Sequence, residues 1–174
     1  IDMENSPYTD QTLQVLETLR QQGHRHVGTV IQSCLSRSPG DVERLNALGV
    51  RVRLVKGAYK EPKTVAFQKK EDVDAAFVQL MRALLDGGDY PAIATHDPTM
   101  IEATKQYARE KGYPADRFEF QMPYGIRRDL QSSLVSEGYR VRAYVPFGRQ
   151  WFPYFMRRLG ERPANVAFVL KGIF

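Results

Sequence analysis

The chain has 174 residues, of which 43% are hydrophobic and 26% are charged, so it can bury a core and is neither a disordered tail nor a disulfide scaffold. The net charge of +5 is uneven, because the residues from Gly138 onward include seven basic side chains and one acidic side chain, which leaves about −1 for the first 137. This local excess favours an anion-binding site near the C-terminus over a uniform nucleic-acid coat.

Cysteine content and hydropathy place the chain in a reducing, soluble compartment. Cys34 is the single cysteine, which excludes an internal disulfide, and we expect it in the core. No signal peptide and no apolar span of about 18 residues occurs.

Short strands alternate with amphipathic helices along the sequence. The first four residues read as the end of a strand with no initiator Met before it, so we expect the chain to be a fragment. Later strands are predicted over 26–32, 51–56, 91–95, 117–122 and 139–145. Helices are predicted around 13–19, with Thr9 and Asp10 as possible caps, and around 42–48, 73–85, 101–108, 130–134 and 153–161.

Regular alternation of six strands with six helices predicts an α/β fold with a parallel sheet. A complete eight-stranded α/β barrel takes about 250 residues. We therefore predict one domain, residues 1–174, that forms the last three quarters of a TIM-type (βα)8 barrel whose N-terminal part is missing from this chain. A flavodoxin-like open sheet is the alternative.

Ligands of both folds bind at the C-terminal ends of the strands. Those ends carry unusual polar and aromatic residues here, in Arg53 to Tyr59, Thr95-His96-Asp97, and Tyr144 to Gly148. No phosphate-binding glycine motif of the P-loop or dinucleotide type occurs. His24 and His26 lack metal-ligand spacing with a cysteine or another histidine, so no metal is predicted. The stretch 60–70 is predicted to be a solvated loop.

The predicted last helix has two contrasting faces. Trp151, Phe152, Phe155, Met156 and Leu159 share one side at helical spacing, and Tyr154, Arg157, Arg158 and Glu161 share the other. A solvated outer face with an ion pair is one interpretation. Because this helix follows a strand-end loop, paired guanidinium groups that bind a small carboxylate are the other.

The segments RLVKGAY and ATHD, and above all YVPFGRQWFPYFMRRLGERPAN, resemble the proline dehydrogenase family, over residues 2 to about 165. The resemblance implies an FAD-dependent enzyme of the short, monofunctional bacterial type on a distorted α/β barrel. Such an enzyme oxidises L-proline to 1-pyrroline-5-carboxylate, the first step of proline catabolism, and passes electrons to a membrane quinone. A cytoplasmic location is implied, with peripheral contact to the inner face of the membrane and no nucleic-acid partner.

The resemblance also implies roles for individual residues. Asp2 matches an active-site aspartate and Arg53 an arginine beside the reactive flavin nitrogen, and both are predicted to be catalytic. The predicted cofactor-binding positions are Met3, Gln32, Arg53, Val55, Lys56, Gly57, Ala58, Thr95, His96 and Gln121. The predicted proline pocket comprises Tyr144, Tyr154, Arg157, Arg158 and Glu161. An active-site lysine on an early strand of the family has no counterpart here.

Two other classes of function stay open at the level of sequence. A Schiff-base aldolase could use Lys56 at a strand end as its nucleophile. On a regular strand, however, Arg53 and Lys56 point to opposite faces, so both enter the barrel only if the strand bulges. A non-enzymatic anion- or RNA-binding module could use Arg140 and Arg142, although their alternation with apolar residues equally fits a polar barrel lining.

Overall fold

The computed structural model describes residues 1–145 and 147–149, and it contains two compact units, Ile1–Ala143 and Tyr144–Phe174. In the first unit a short 3-10 helix, Ser6–Tyr8, precedes five helices and five strands. The helices are α1 Thr9–Gln21, α2 Ser38–Ala47, α3 Lys70–Gly87, α4 Pro98–Lys111 and α5 Arg128–Ser136. The strands are β1 Gly28–Gln32, β2 Arg51–Val55, β3 Ala92–Ala94, β4 Glu119–Pro123 and β5 Arg140–Tyr144.

The strands lie in one sheet in the order β1-β2-β3-β4-β5, and the pairs from β1 to β4 are parallel. Right-handed crossovers between strands that always step in the same direction place every helix on the same face of the sheet. A flavodoxin-like sheet reverses its strand order near the first strand and carries helices on both faces. The sequential order therefore confirms the barrel-type α/β architecture and excludes the flavodoxin-like alternative.

Burial alternates along β2, and the most buried residues of β2, β3 and β4 share one face of the sheet. Leu54, Ile93 and Phe120 are fully buried and belong to the same hydrophobic cluster as Leu80 and Leu84 of α3. The intervening strand residues face the opposite side of the sheet, here called the inner face, because successive side chains of a strand point to opposite faces. The inner face carries polar and charged side chains, as the next subsection describes.

Helix α3 illustrates how the sequence produces these elements. Its apolar residues recur at spacings of three and four, and Phe77, Met81 and Leu85 are each fully buried. Its first turn contains Glu71 and Asp72, which are favourable near the positive end of a helix dipole.

Three predictions about local structure were wrong. The first four residues form no strand, so the described residues contain five strands and not six, although the Ile1 amino group donates to the Gly28 carbonyl at 2.6 Å. Helix α1 begins at Thr9 with Tyr8 as its N-cap, so Thr9 and Asp10 lie inside the first turn. The loop 60–70 is not simply solvated, because Ala66 is buried and pairs with Leu35. The helix predicted over 153–161 lies outside the described residues.

Candidate active site

A ladder of polar side chains crosses the inner face from β2 to β5. Arg53 Nε donates to Gln121 Oε1 at 2.8 Å, and Gln121 Nε2 donates to Glu119 Oε1 at 2.6 Å. Arg142 closes the ladder with two hydrogen bonds to the Glu119 carboxylate, at 2.7 and 2.9 Å. Donors and acceptors alternate without interruption along this row, so each side chain is oriented by its neighbour.

Asp2 lies at the other end of the ladder. Its Oδ1 is 3.9 Å from Arg53 Nη1, and two thirds of its side chain is exposed. Such a contact is a weak ion pair. The structure thus brings together Asp2, Arg53 and Gln121, three of the residues that the sequence predicted for the site.

Gln32 supplies a buried polar group with an unused acceptor. Gln32 is 3% exposed, and its Nε2 donates to the Glu4 carbonyl at 2.8 Å. Within the part of the chain that the structure describes, its Oε1 is buried and accepts no hydrogen bond. Because an unsatisfied buried acceptor is costly, this atom indicates a place for a ligand donor.

Gly57 follows β2 in a conformation that side chains disfavour, with φ at +104°. A Cβ placed there would lie 2.4 Å from Cys34 Sγ and 3.0 Å from Gln32 Oε1. The close approach of this backbone to Gln32 therefore requires glycine. The predicted burial of Cys34 is confirmed, and burial, with a smaller contribution from Glu61, raises the pKa of its thiol to about 11.

Lys56 points away from the inner face toward the helices. Its Nζ donates to Asp97 Oδ2 at 2.6 Å and also to Asp74, which in turn accepts from Lys70. Burial is the largest single influence and opposes ionisation of Asp74 and Asp97. The hydrogen bonds from Lys56 and the positive charges of Lys56 and Lys70, together with the other hydrogen bonds to each carboxylate, nevertheless lower the pKa of both carboxyl groups. The predicted opposition of Arg53 and Lys56 across the strand is confirmed.

The segment before α1 is fastened to the loop after β2. Ser6 donates through its backbone N–H and its hydroxyl to the carboxylate of Glu61, at 2.7 and 2.6 Å, and Tyr59 donates to Glu4. Met3, between these contacts and Asp2, is 6% exposed. These bonds hold two segments that carry predicted site residues against each other.

The remaining predicted residues lie at the ends of strands. Val55 ends β2 and is half-buried, Ala58 is exposed in the following loop, and Thr95 is buried after β3. His96 is exposed and immediately precedes Asp97, the N-cap of α4. Tyr144 ends β5 and is 41% exposed. Four predicted substrate residues lie outside the described residues: Tyr154, Arg157, Arg158 and Glu161.

Three acidic residues make contacts that the sequence did not predict, although Asp97 already stood out among the polar residues at a strand end. Asp74 and Asp97 hold Lys56, and Glu119 anchors the ladder, although the predicted strand already placed Glu119 two residues before Gln121 and hence on the same face. Strand periodicity could have found Glu119. The pairing of Lys56 with Asp74 spans 18 positions and carries no local signal.

The described residues contain no group of three His, Cys, Asp or Glu side chains that could hold a metal ion. None of the helices within 1–145 is long and apolar enough to cross a membrane. Arg142 pairs with Glu119 and Arg140 contacts the Tyr90 hydroxyl at 3.3 Å, while both arginine side chains remain more than half exposed.

Comparison with known proteins gives the same family throughout. The sequence profile described as "Proline dehydrogenase" matches residues 1–171. The chain is 50% identical to "Proline dehydrogenase 2" of Bacillus subtilis strain 168 in an alignment of 173 residues. This alignment covers 99% of this chain and 57% of that protein. It is 49% identical to "Proline dehydrogenase" of Deinococcus radiodurans in an alignment of 174 residues, and this alignment covers 99% of this chain and 56% of that protein. The chain thus spans just over half the length of these relatives.

Solved structures of proline utilization A (PutA) share the fold. The protein from Bdellovibrio bacteriovorus inactivated by N-propargylglycine superposes with a TM-score of 0.84 at 31% identity, over 91% of this chain and 19% of that one. A Bradyrhizobium japonicum PutA mutant gives a TM-score of 0.80 at 26% identity, over 91% of this chain and 19% of that one. The described strands and helices are those of an α/β barrel with a polar inner face. The chain belongs to the proline dehydrogenase family.

Proposed function

We propose that the protein containing this chain oxidises L-proline to 1-pyrroline-5-carboxylate with FAD as its cofactor, as the first step of proline catabolism. The family match over residues 1–171 is the observation that carries this proposal. Gln32 at the end of β1, and Thr95 and His96 after β3, support it, because residues at the C-terminal ends of barrel strands are where the chemistry of this fold takes place. The natural acceptor in the proposal is a membrane quinone, and the location is cytoplasmic with peripheral membrane contact.

The residues at the C-terminal ends of β1 and β2 fit a bound flavin. The unused Oε1 of Gln32 can accept a hydrogen bond from a ring N–H group of the flavin. Gly57 has no side chain, so nothing at this position crowds Gln32 Oε1. The proposed cofactor-binding set is Met3, Gln32, Arg53, Val55, Lys56, Gly57, Ala58, Thr95, His96 and Gln121. When bound, FAD supplies the two-electron acceptor for oxidation of the C–N bond of proline to C=N.

Within this proposal, Arg53 places a positive charge where negative charge develops on reduction, and Asp2 orients it from 3.9 Å. Arg157 and Arg158 bind the carboxylate of proline, while Tyr144, Tyr154 and Glu161 shape the pocket around the ring. Lys56 belongs to the proposed cofactor-binding set through its main chain and not its side chain, because its ammonium group binds Asp74 of α3 and Asp97 at the start of α4.

The aldolase alternative is not supported, because the Lys56 amine is engaged by two carboxylates on the helix side of the sheet. The nucleic-acid alternative is not supported either, because the family match over residues 1–171 is to a family of oxidoreductases.

The test is spectroscopic and uses the natural full-length protein. We expect the purified protein to absorb as an oxidised flavoprotein, to bleach when L-proline is added without oxygen, and to reduce a soluble quinone analogue during turnover. D-Proline is the matched control and should leave the flavin oxidised. A folded, full-length protein that binds no flavin, or whose flavin is not reduced by L-proline, would contradict the proposal.

A further inference from the structure

Glu119 is a buried acid whose presence the proposed reaction does not itself explain. It is 5% exposed, on the inner face of β4. Burial of a carboxylate is costly unless the charge is paired and hydrogen-bonded. Glu119 meets that condition through Arg142 and Gln121, with the Tyr90 hydroxyl 3.3 Å away.

The ionised state of Glu119 decides which way the amide of Gln121 points. Burial is the largest single influence and opposes ionisation, but the hydrogen bonds from Arg142, Gln121 and Tyr90 and the positive charge of Arg142 together lower the pKa of the carboxyl group. An ionised carboxylate only accepts hydrogen bonds, so the NH2 end of the Gln121 amide must face it. The oxygen of the same amide then faces the other way.

Arg53 depends on that orientation. A guanidinium group only donates, and Arg53 Nε donates to Gln121 Oε1 at 2.8 Å. If the amide were reversed, its NH2 group would face the Arg53 guanidinium and its oxygen would face the Glu119 carboxylate. Both contacts would then be repulsive.

We propose that Glu119 is a positioning residue, which sets the amide orientation of Gln121 and through it the place of the Arg53 guanidinium. The proposal rests on the proposed function, in which Arg53 stabilises negative charge on the reduced cofactor. Arg142 holds Glu119 from the far side with two bonds, so the three residues behind Arg53 act as one support.

The decisive variant is Glu119→Gln in the natural full-length protein, because a neutral amide at this position can present either end to Gln121. We expect kcat to fall roughly ten- to hundred-fold through misplacement of Arg53, with little change in the KM for proline. The midpoint potential of the bound flavin should become more negative, since positive charge near the reduced ring is less well placed. Glu102→Gln, which removes an exposed paired carboxylate on α4, is the matched control and should change neither quantity.

A double-mutant cycle separates positioning from a general structural role. If Glu119 acts through Arg53, then Glu119→Gln shifts the flavin potential in the wild-type background and has little further effect in an Arg53→Lys background. Arg142→Gln should shift the potential in the same direction by a smaller amount, and it provides the test if Glu119→Gln does not fold. Equal shifts in the wild-type and Arg53→Lys backgrounds, or a wild-type potential in Glu119→Gln and Arg142→Gln, would overturn the proposal. Wild-type protein is assayed first, so failure to bind FAD or oxidise proline would contradict the proposed function and not this inference.

Discussion

At the scale of single residues, Gln32 gives the most direct indication of a bound group. Its amide nitrogen is used within the chain, while its oxygen is buried and has no partner among the described residues. The sequence placed Gln32 at the end of a predicted strand, and its role in cofactor binding was predicted only through family resemblance. The unused acceptor could not be foreseen, because it depends on how residues 1–4 and 56–58 pack around β1.

Replacing Gln32 with Met should weaken FAD binding about five-fold, because one net hydrogen bond is worth about 1 kcal/mol. FAD titration of the apoprotein by fluorescence quenching measures this effect. Gln14→Met, on the exposed side of α1, is the control and should bind FAD as the wild type does. Wild-type affinity in Gln32→Met would show that Oε1 does not contact the cofactor.

Arg157→Met and Arg158→Met should each raise the KM for proline roughly ten- to hundred-fold, since a charge-assisted hydrogen bond to a carboxylate is worth about 1.5–3 kcal/mol. This prediction rests on the sequence pattern, because both residues lie outside the described part of the chain. Steady-state kinetics and flavin content measure it, with the flavin content expected to stay near normal. Arg82→Met, on the outer surface of α3, is the control. Unchanged proline kinetics in both variants would assign the carboxylate to other residues.

At the scale of elements, ion pairs at the end of β2 connect this strand to the two helices α3 and α4. Lys56, just after β2, contacts Asp74 in α3 and the N-cap Asp97 of α4. Asp97 also accepts from the Thr99 backbone N–H at 3.0 Å, so one carboxylate both caps a helix and binds the lysine. Helix periodicity predicted the five described helices, but it contains no information about such long-range pairs.

Lys56→Met should lower the free energy of unfolding at pH 7 by about 1–3 kcal/mol, because it leaves two partly buried carboxylates with fewer partners. The pKa values of Asp74 and Asp97 are lowered in the folded state, so this stabilisation is present above the unfolded pKa of about 3.9 and is lost as the pH falls through the folded values. The difference between variant and wild type should therefore shrink in acid. Urea unfolding at pH 7 and at lower pH measures it.

Lys63→Met, in the exposed loop after β2, is the control for the loss of a lysine and should leave stability unchanged at every pH. A Lys56→Met protein as stable as the wild type at pH 7 would show that the ion pairs only compensate for desolvation.

At the scale of the whole molecule, the order of the strands explains both the fold and the location of the site. The alternation of strands and helices predicted an α/β fold, and the structure resolves the choice between barrel and open sheet through the order β1-β2-β3-β4-β5. Strand order depends on contacts between distant segments, so no local pattern could decide it. The polar side chains of β2, β4 and β5 are brought into one row only by that order.

Native-state hydrogen exchange should follow the same architecture. We expect the slowest amides in β2 and β3, because each is paired on both sides and both Leu54 and Ile93 are fully buried. The fastest amides within the first unit should include those of 57–60, where every side chain is exposed. Exchange as slow in 57–60 as in β2 would contradict this order of stability.

The close contact between Gly57 and Cys34 also limits how sequences of this fold can diverge. Position 57 has room for a Cβ only if the side chain at position 34 retreats, because the obstructing atom is the Cys34 sulfur at 2.4 Å, whereas its Cβ is at 3.4 Å. An alanine at 34 would remove the contact with sulfur, but Gln32 Oε1 would still lie 3.0 Å from the Cβ, and the φ of +104° would still disfavour any residue other than glycine at 57. We therefore expect position 57 to be glycine whichever residue occupies position 34, and a different residue at 57 would require the loop after β2 to take another conformation.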